Sequence, residues 1–184
     1  MPYSHTNRRG ITFYLHTGRS ALGPAFEFRQ RIGDGALDAL PEGYEVYEDP
    51  NGRLRLVLEA DTPLAGTEAP AVRVALESTD YAEYLVEVVE GAVVILQPNW
   101  TRAELARIIG QPVSSLTAED IRDNTDYAPI MCIEPSAAID GHFCLLRMEF
   151  DPIPGWSEPL VDGPLHVLLA QLEPHLRDAV TSDF

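Results

Sequence analysis

The sequence predicts an α+β fold: a mostly antiparallel β-sheet built from hairpins, a capped short helix near 101–110 and a C-terminal helix packed on the sheet. Two tight turns that each join strand-like segments predict the hairpins. A capping sequence and a leucine stripe with helical spacing predict the two helices. The chain has 184 residues, 45% of them hydrophobic, which fits a single domain over 1–184.

The first strands are expected near the N-terminus. Residues 11–17 and 25–30 are rich in aromatic and β-branched side chains, and glycine and proline lie between them. We therefore expect two strands that pair or flank a shared neighbour. Residues 1–23 are a possible N-terminal extension of the domain.

A proline and a glycine predict the first hairpin. Pro50 presets φ for a turn and Gly52 accepts the positive φ that closes it, so segments 44–48 and 53–59 should pair. Three leucines alternate with arginines in the second segment and predict one buried face: Leu54, Leu56 and Leu58. Residues 60–70, rich in Thr, Ala, Gly and Pro, are expected to form a loop.

A second hairpin is predicted over 83–97, with Glu90 and Gly91 as its two-residue turn. If Val89 lies opposite Ala92, five apolar side chains share one face, which would place this hairpin at the centre of the sheet: Tyr84, Val86, Val88, Val93 and Ile95.

Two further strands are expected at 128–134 and 142–150, separated by a loop that ends in a glycine. Each contains one of the two cysteines, Cys132 and Cys144. Depending on the register of these strands, the cysteines are buried free thiols or a cross-strand disulfide.

The helix near 101–110 is predicted by its ends. Thr101 and Glu104 form a capping box, in which each side chain satisfies a free backbone donor of the first turn, and Gly110 ends the helix. A second box at 117–120 predicts a short helical turn.

The last helix is predicted to begin at Gly163 and Pro164, because proline is best tolerated in the first turn. Pro174 should kink it near Glu173. Five leucines lie on one stripe that faces the core: Leu165, Leu168, Leu169, Leu172 and Leu176.

Composition excludes several chemistries. All 13 basic residues are arginine, so lysine-dependent Schiff bases, Walker-type phosphate loops and S-x-x-K nucleophiles are excluded. Residues 1–60 contain seven arginines and eight acidic residues, whereas 61–184 contain six and 21. A chain with net charge −16 repels polyanions, so we expect no nucleic-acid partner.

Apolar runs are short. The longest, from Ala92 to Leu96, is far below the roughly 20 residues of a membrane-spanning helix, and the N-terminus has no apolar signal-peptide core. We expect a cytoplasmic protein with no membrane association.

The sequence carries no complete catalytic or metal-binding motif. Ser20 lies in a near match to the nucleophile elbow, but Leu22 stands where that motif needs glycine. The five histidines lack metal-ligand spacing, which leaves open only a site assembled from distant residues, such as His142 with Asp140 and Cys144. We predict no catalytic residue, no metal-ligand set and no cofactor.

The stretch PEGYEVYEDPNGR at 41–53 resembles a bacterial family whose members carry a PEGYE-[IV]-YE-x-PNG hairpin after a short aromatic strand. The resemblance covers 26–58, with weaker similarity in YLVEVVEGAVVILQP and in the GPL and PHL of the last helix. That family has no assigned activity. The resemblance therefore implies one continuous domain and no catalytic residue.

These patterns favour a non-enzymatic interaction or regulatory domain. Its partner would be a protein with a basic face or a second copy of the chain. The alternative is an enzyme or small-ligand-binding protein, which would need a pocket of about 300 Å³ or more. Its site would be assembled from dispersed side chains such as Tyr44, Tyr47, His142, Trp156 and His175.

Overall fold

The computed structural model describes residues 1–20, 23–58, 67–149 and 154–181. The chain divides into two compact units. The first comprises Met1–Asp61 with Arg122–Asn124, and the second comprises Thr62–Ile121 with Thr125–Phe184. The α+β fold with mostly antiparallel sheets is confirmed. The single domain over 1–184 stays a prediction.

The first unit contains two small antiparallel sheets. One has the order β1-β2-β3, and the other is a hairpin of β4 and β5. The pairing of the first strands and the 44–48 hairpin are confirmed. The N-terminal residues contribute β1 and β2 to the first sheet, and the extension over 1–23 stays a prediction. The strands are β1 (Ser4–Thr6), β2 (Thr12–Ser20), β3 (Gly23–Arg29), β4 (Tyr44–Glu48) and β5 (Leu54–Leu58).

The predicted leucine face of β5 is wrong. Val57 is the buried residue of this strand, and Leu58 is 63% exposed. The Tyr44 ring packs edge-on against Phe26 of β3, and within the hairpin Arg55 lies over the Tyr47 ring. Strict alternation of buried and exposed positions therefore fails here.

Asn7 ties the turn after β1 to the turn between β4 and β5. Its side chain is buried, and its Nδ2 donates to the Gly52 carbonyl over 2.7 Å. Its Oδ1 accepts from the backbone N–H groups of Arg9 (3.1 Å) and Ile11 (2.9 Å). Gly52 has φ +77°, and a Cβ there would lie 2.9 Å from Asn7 Nδ2. Both turns thus depend on the same contact.

We expect Asn7→Ala to destabilise this unit by about 2 kcal/mol, because three hydrogen-bonding groups lose a buried partner. The measurement is the urea midpoint at which the native methyl NMR signals of buried Leu15 disappear. Asn7→Asp keeps the Oδ1 acceptor but places a carboxylate oxygen against the Gly52 carbonyl oxygen, so it should destabilise the unit at least as much as alanine. An Asn7→Ala midpoint equal to that of wild type would contradict the role.

The Glu48 carboxylate accepts hydrogen bonds from residues of the N-terminal segment. Its Oε1 accepts from the backbone N–H (2.7 Å) and Nε (3.1 Å) of Arg8, and its Oε2 lies 3.5 Å from His5 Nε2. Burial raises the pKa of Glu48, but the hydrogen bonds from Arg8 and His5 together outweigh burial and hold it below 4.5. One cation of the arginine-rich N-terminus is therefore paired within its own unit.

The lowered pKa predicts a pH dependence. A carboxylate whose folded pKa lies below its unfolded value stabilises the fold above the unfolded value, and this stabilisation is lost as pH falls through the folded pKa. We expect the stability difference between wild type and Glu48→Gln to be largest near neutral pH and to shrink below 4.5. Leu15 methyl signals in urea at several pH values measure it, with exposed Glu45→Gln as the control. A constant difference from neutral to acid pH would rule this out.

The second unit is built on one larger antiparallel sheet with the order β10-β9-β8-β7-β6, in which β11 also pairs with β9. Val89 lies opposite Ala92 as predicted, and Glu90 (φ +50°) and Gly91 (φ +83°) form the turn. The central position of this hairpin is wrong for β6, which lies at the sheet edge. The strands are β6 (Leu85–Val89), β7 (Ala92–Pro98), β8 (Tyr127–Pro135), β9 (Phe143–Glu149), β10 (Gly155–Trp156) and β11 (Val161–Gly163).

Four helices are described: α1 (Glu68–Glu77), α2 (Arg102–Ile109), α3 (Ala118–Asn124) and α4 (Leu165–Thr181). Both capping boxes are confirmed. The loop prediction for 60–70 is wrong at 68–70, which begin α1, because Pro70 lies in the first turn, where proline is tolerated. Residues 59–66 lie outside the described residues. Among the described residues, no helix has the length and apolarity needed to cross a membrane.

One face of the larger sheet is covered by α1 and α4, as predicted for the C-terminal helix. Ala69, Val72 and Leu76 of α1 pack with the α4 stripe on side chains from β6 to β9. The apolar face predicted for the second hairpin belongs to this core. On the opposite face, Cys132 and Cys144 are buried free thiols. Cys132 pairs with Leu146 and not with Cys144, so the register does not favour a disulfide.

Candidate functional site

A cavity of about 460 Å³ that is open to solvent lies between the C-terminal end of α1 and the second half of α4. Its floor is made of core leucines: Leu76, Leu172 and Leu176 are each at most 3% exposed. Two small residues, Ala75 and Ala170, line its sides. Because these positions carry only a methyl group, the two helices leave a space that the core side chains do not fill.

The rim of the cavity is polar. Glu173 and Arg177, one turn apart on α4, form an exposed ion pair over 2.9 Å. On the α1 side, the Thr79 hydroxyl donates to the Leu76 carbonyl over 2.8 Å, and Tyr81 presents an aromatic ring. That ring packs edge-on against Tyr84, with centroids 5.2 Å apart. Apolar floor, polar rim and aromatic wall are the usual lining of a small-molecule site.

Pro174 adds an unusual acceptor to the cavity. In an α-helix the N–H of residue i donates to the carbonyl of residue i−4, and proline has no N–H. The Ala170 carbonyl therefore lacks its helical donor, although α4 continues through Pro174 to Thr181. Both Ala170 and Pro174 are lining residues of the cavity.

A second polar cluster lies on the other face of the sheet, around Asp162 of β11. Its Oδ2 accepts from the Ser136 hydroxyl (2.8 Å) and from Cys144 Sγ (3.6 Å). Its Oδ1 lies 3.3 Å from His142 Nδ1, which carries the proton because a carboxylate only accepts. The register aligns Glu134, Cys144 and Asp162 in one row across three strands.

The electrostatics of this cluster oppose nucleophilic chemistry. Burial raises the pKa of Cys144, and the carboxylates of Asp162 and Glu134 raise it further, against a lowering hydrogen bond from Ser136. The Ser136 hydroxyl is the main group that lowers the pKa of Asp162, followed by His142 and Cys144. The result is a neutral thiol beside an ionised carboxylate, whereas a nucleophilic cysteine needs a lowered pKa.

We expect Cys144 to react slowly with iodoacetamide, because its pKa is raised. In a Cys132→Ser background, Asp162→Asn should increase the rate of labelling at pH 8 by about two- to fivefold, since it removes a charge that opposes the thiolate. Ser136→Ala should act in the opposite direction. Mass spectrometry of the labelled protein measures the rate, and slower labelling of Asp162→Asn would contradict this account.

The five residues predicted to form a dispersed site are divided between the two units. Tyr44 and Tyr47 belong to the first unit, whereas His142, Trp156 and His175 belong to the second. His142 joins the Asp162 cluster, Trp156 is 39% exposed on β10, and none of the five lines the cavity. The proposed partner of His142, Asp140, is exposed, and Asp162 takes its place. Within the described ranges, no three His, Cys, Asp or Glu side chains are arranged to hold a metal ion.

Comparison of the chain with family models, curated proteins and solved structures gives no match.

Proposed function

We propose that this protein is a non-enzymatic binding domain that holds a small ligand in the cavity between α1 and α4. The observation that carries the proposal is the cavity itself, whose volume of about 460 Å³ lies within the range of ligand sites. Burial of an apolar ligand body against Leu76, Leu172 and Leu176 would supply the main driving force. The polar rim would orient the ligand.

The absence of catalysis is part of the proposal. The Asp162 cluster supports it, because the pKa of its thiol is raised and its carboxylate is already engaged by three donors. A domain that binds a ligand without transforming it can act as a carrier or as a sensor. We predict that a protein partner or a second copy of the chain recognises the ligand-bound protein. The expectations of no nucleic-acid partner, of a cytoplasmic location and of a relationship to the PEGYE family also stay predictions.

The test is ligand titration with a neutral probe. We expect 2-phenylethanol to shift backbone amide NMR signals of α1 and α4 in the wild-type protein. Ala75→Phe should abolish these shifts, because the added ring occupies the cavity. Ala103→Phe, the same substitution at an exposed position of α2, should leave them unchanged.

The proposal fails if probe concentrations up to about 10 mM, a weak-binding limit, produce no shifts in α1 or α4. It fails equally if Ala75→Phe, shown to be folded by its amide spectrum, keeps the shifts. Shifts that appear only around other elements would place the ligand elsewhere and would also reject it.

A further inference from the structure

We infer that the ligand class of the α1–α4 cavity is a small amine, an ammonium group carried on an apolar aliphatic or aromatic body. This inference rests on the proposed function and goes beyond it by naming the charge and hydrogen-bonding character of the ligand. Three features of the second unit support it: the acceptor created by Pro174, the local charge, and the Tyr81 ring.

The first feature is the Ala170 carbonyl. Since Pro174 cannot donate to it, a bound group with an N–H can supply the hydrogen bond that the helix omits. A carboxylate ligand has no donor and would instead bring an anion toward a carbonyl oxygen. An ammonium has up to three donors, which suits this position.

The second feature is charge. Residues 61–184, which contain the cavity, carry 21 acidic residues against six arginines, so the net charge of this segment attracts cations. At the rim, the Glu173 carboxylate lies 2.9 Å from Arg177 Nη2, and both side chains are at least half exposed. Because such an exposed ion pair is weak, the Glu173 carboxylate can interact with a second cation at little cost in free energy. A carboxylate ligand could contact Arg177 but would enter against the charge of the whole segment.

The third feature is the Tyr81 ring in the cavity wall. The face of an aromatic ring attracts a cation within about 6 Å of its centre. Tyr84 packs edge-on against Tyr81, with an angle of 73° between the two ring planes. Tyr81, Glu173 and Ala170 all line the cavity, and a ring face, a carboxylate and a carbonyl oxygen are groups that favour a positively charged ligand.

The experiment compares three probes with the same apolar body: 2-phenylethylammonium, 2-phenylethanol and 3-phenylpropionate. Titration of the full chain at neutral pH and low salt, followed by amide NMR shifts in α1 and α4, gives the three dissociation constants. We expect the ammonium to bind about tenfold more tightly than the alcohol, and the carboxylate most weakly. The preference should decrease with added salt.

Two variants assign the preference to residues. Glu173→Gln should weaken ammonium binding by about three- to tenfold and leave the alcohol unchanged. Glu119→Gln, which removes an exposed carboxylate of α3 outside the cavity, is the matched control. Pro174→Ala supplies the missing N–H to Ala170 and should weaken binding of the ammonium by about two- to tenfold.

The outcomes separate the two proposals. If the alcohol binds but the ammonium binds no more tightly, or the carboxylate binds best, the amine inference is overturned and the cavity remains a ligand site. If Glu173→Gln and Glu119→Gln have equal effects, the rim does not select the charge and the inference also fails. If no probe shifts α1 or α4, both proposals are rejected.

Discussion

Replacing Leu168 with alanine is expected to lower the free energy of unfolding of the second unit by about 3–4 kcal/mol. Leu168 is fully buried on α4 and belongs to the core that α1 and α4 form on the sheet. Its side chain also lies close to Gly163: a Cβ added to this glycine would be 3.8 Å from Leu168 Cδ1. Because neighbouring leucines and the rigid sheet surround it, the space left by truncation would remain largely open.

Urea unfolding followed by tryptophan fluorescence measures this effect, since both tryptophans, Trp100 and Trp156, belong to the second unit. Leu160→Ala is the matched control. It removes the same atoms from a position that is 37% exposed, and we expect a loss below about 1 kcal/mol. Equal losses for the two variants would mean that α4 contributes no more to this core than a surface loop does.

Local signals predict the elements that depend on a few neighbouring residues. The two hairpins follow from Pro50 with Gly52 and from Glu90 with Gly91, and the α2 boundaries follow from Thr101 and Gly110. In each case a backbone requirement and the residue that meets it lie within one turn. These are the parts of the fold that need no tertiary context.

The parts that the sequence does not predict depend on distant contacts. Helix α1 is not predicted, because Thr67 precedes it and Pro70 lies in its first turn, and it is stabilised by packing of Val72 and Leu76 on the sheet. Strand β11 has only three residues and depends on its pairing with β9. Asp162 therefore reaches Cys144 through a register that the sequence does not reveal.

The cavity is also a property of packing. Its lining alternates core leucines with alanines, a composition that an ordinary helix pair shares. Only the placement of α1 beside α4 shows that Ala75 and Ala170 leave space between them. The sequence does single out Pro174, which is predicted to kink α4 near Glu173 and is a lining residue of the cavity.

Replacing Pro174 with alanine is expected to raise the free energy of unfolding of the second unit by about 2–3 kcal/mol. The alanine N–H restores the hydrogen bond to the Ala170 carbonyl, and removal of the ring relieves its clash with that carbonyl. Pro174 is exposed, so its removal opens no cavity in the core. Tryptophan fluorescence in urea again gives the measurement.

Pro159→Ala is the control for loss of a proline outside a helix, and it should be neutral or slightly destabilising because the unfolded chain gains freedom. The presence of a proline that destabilises α4 by this amount is explained if the acceptor that it creates binds the ligand. The same Pro174→Ala protein should then be more stable and bind 2-phenylethylammonium less tightly. Greater stability with unchanged affinity would show that the Ala170 carbonyl has no part in binding, and lower stability would show that α4 requires the proline for its own packing.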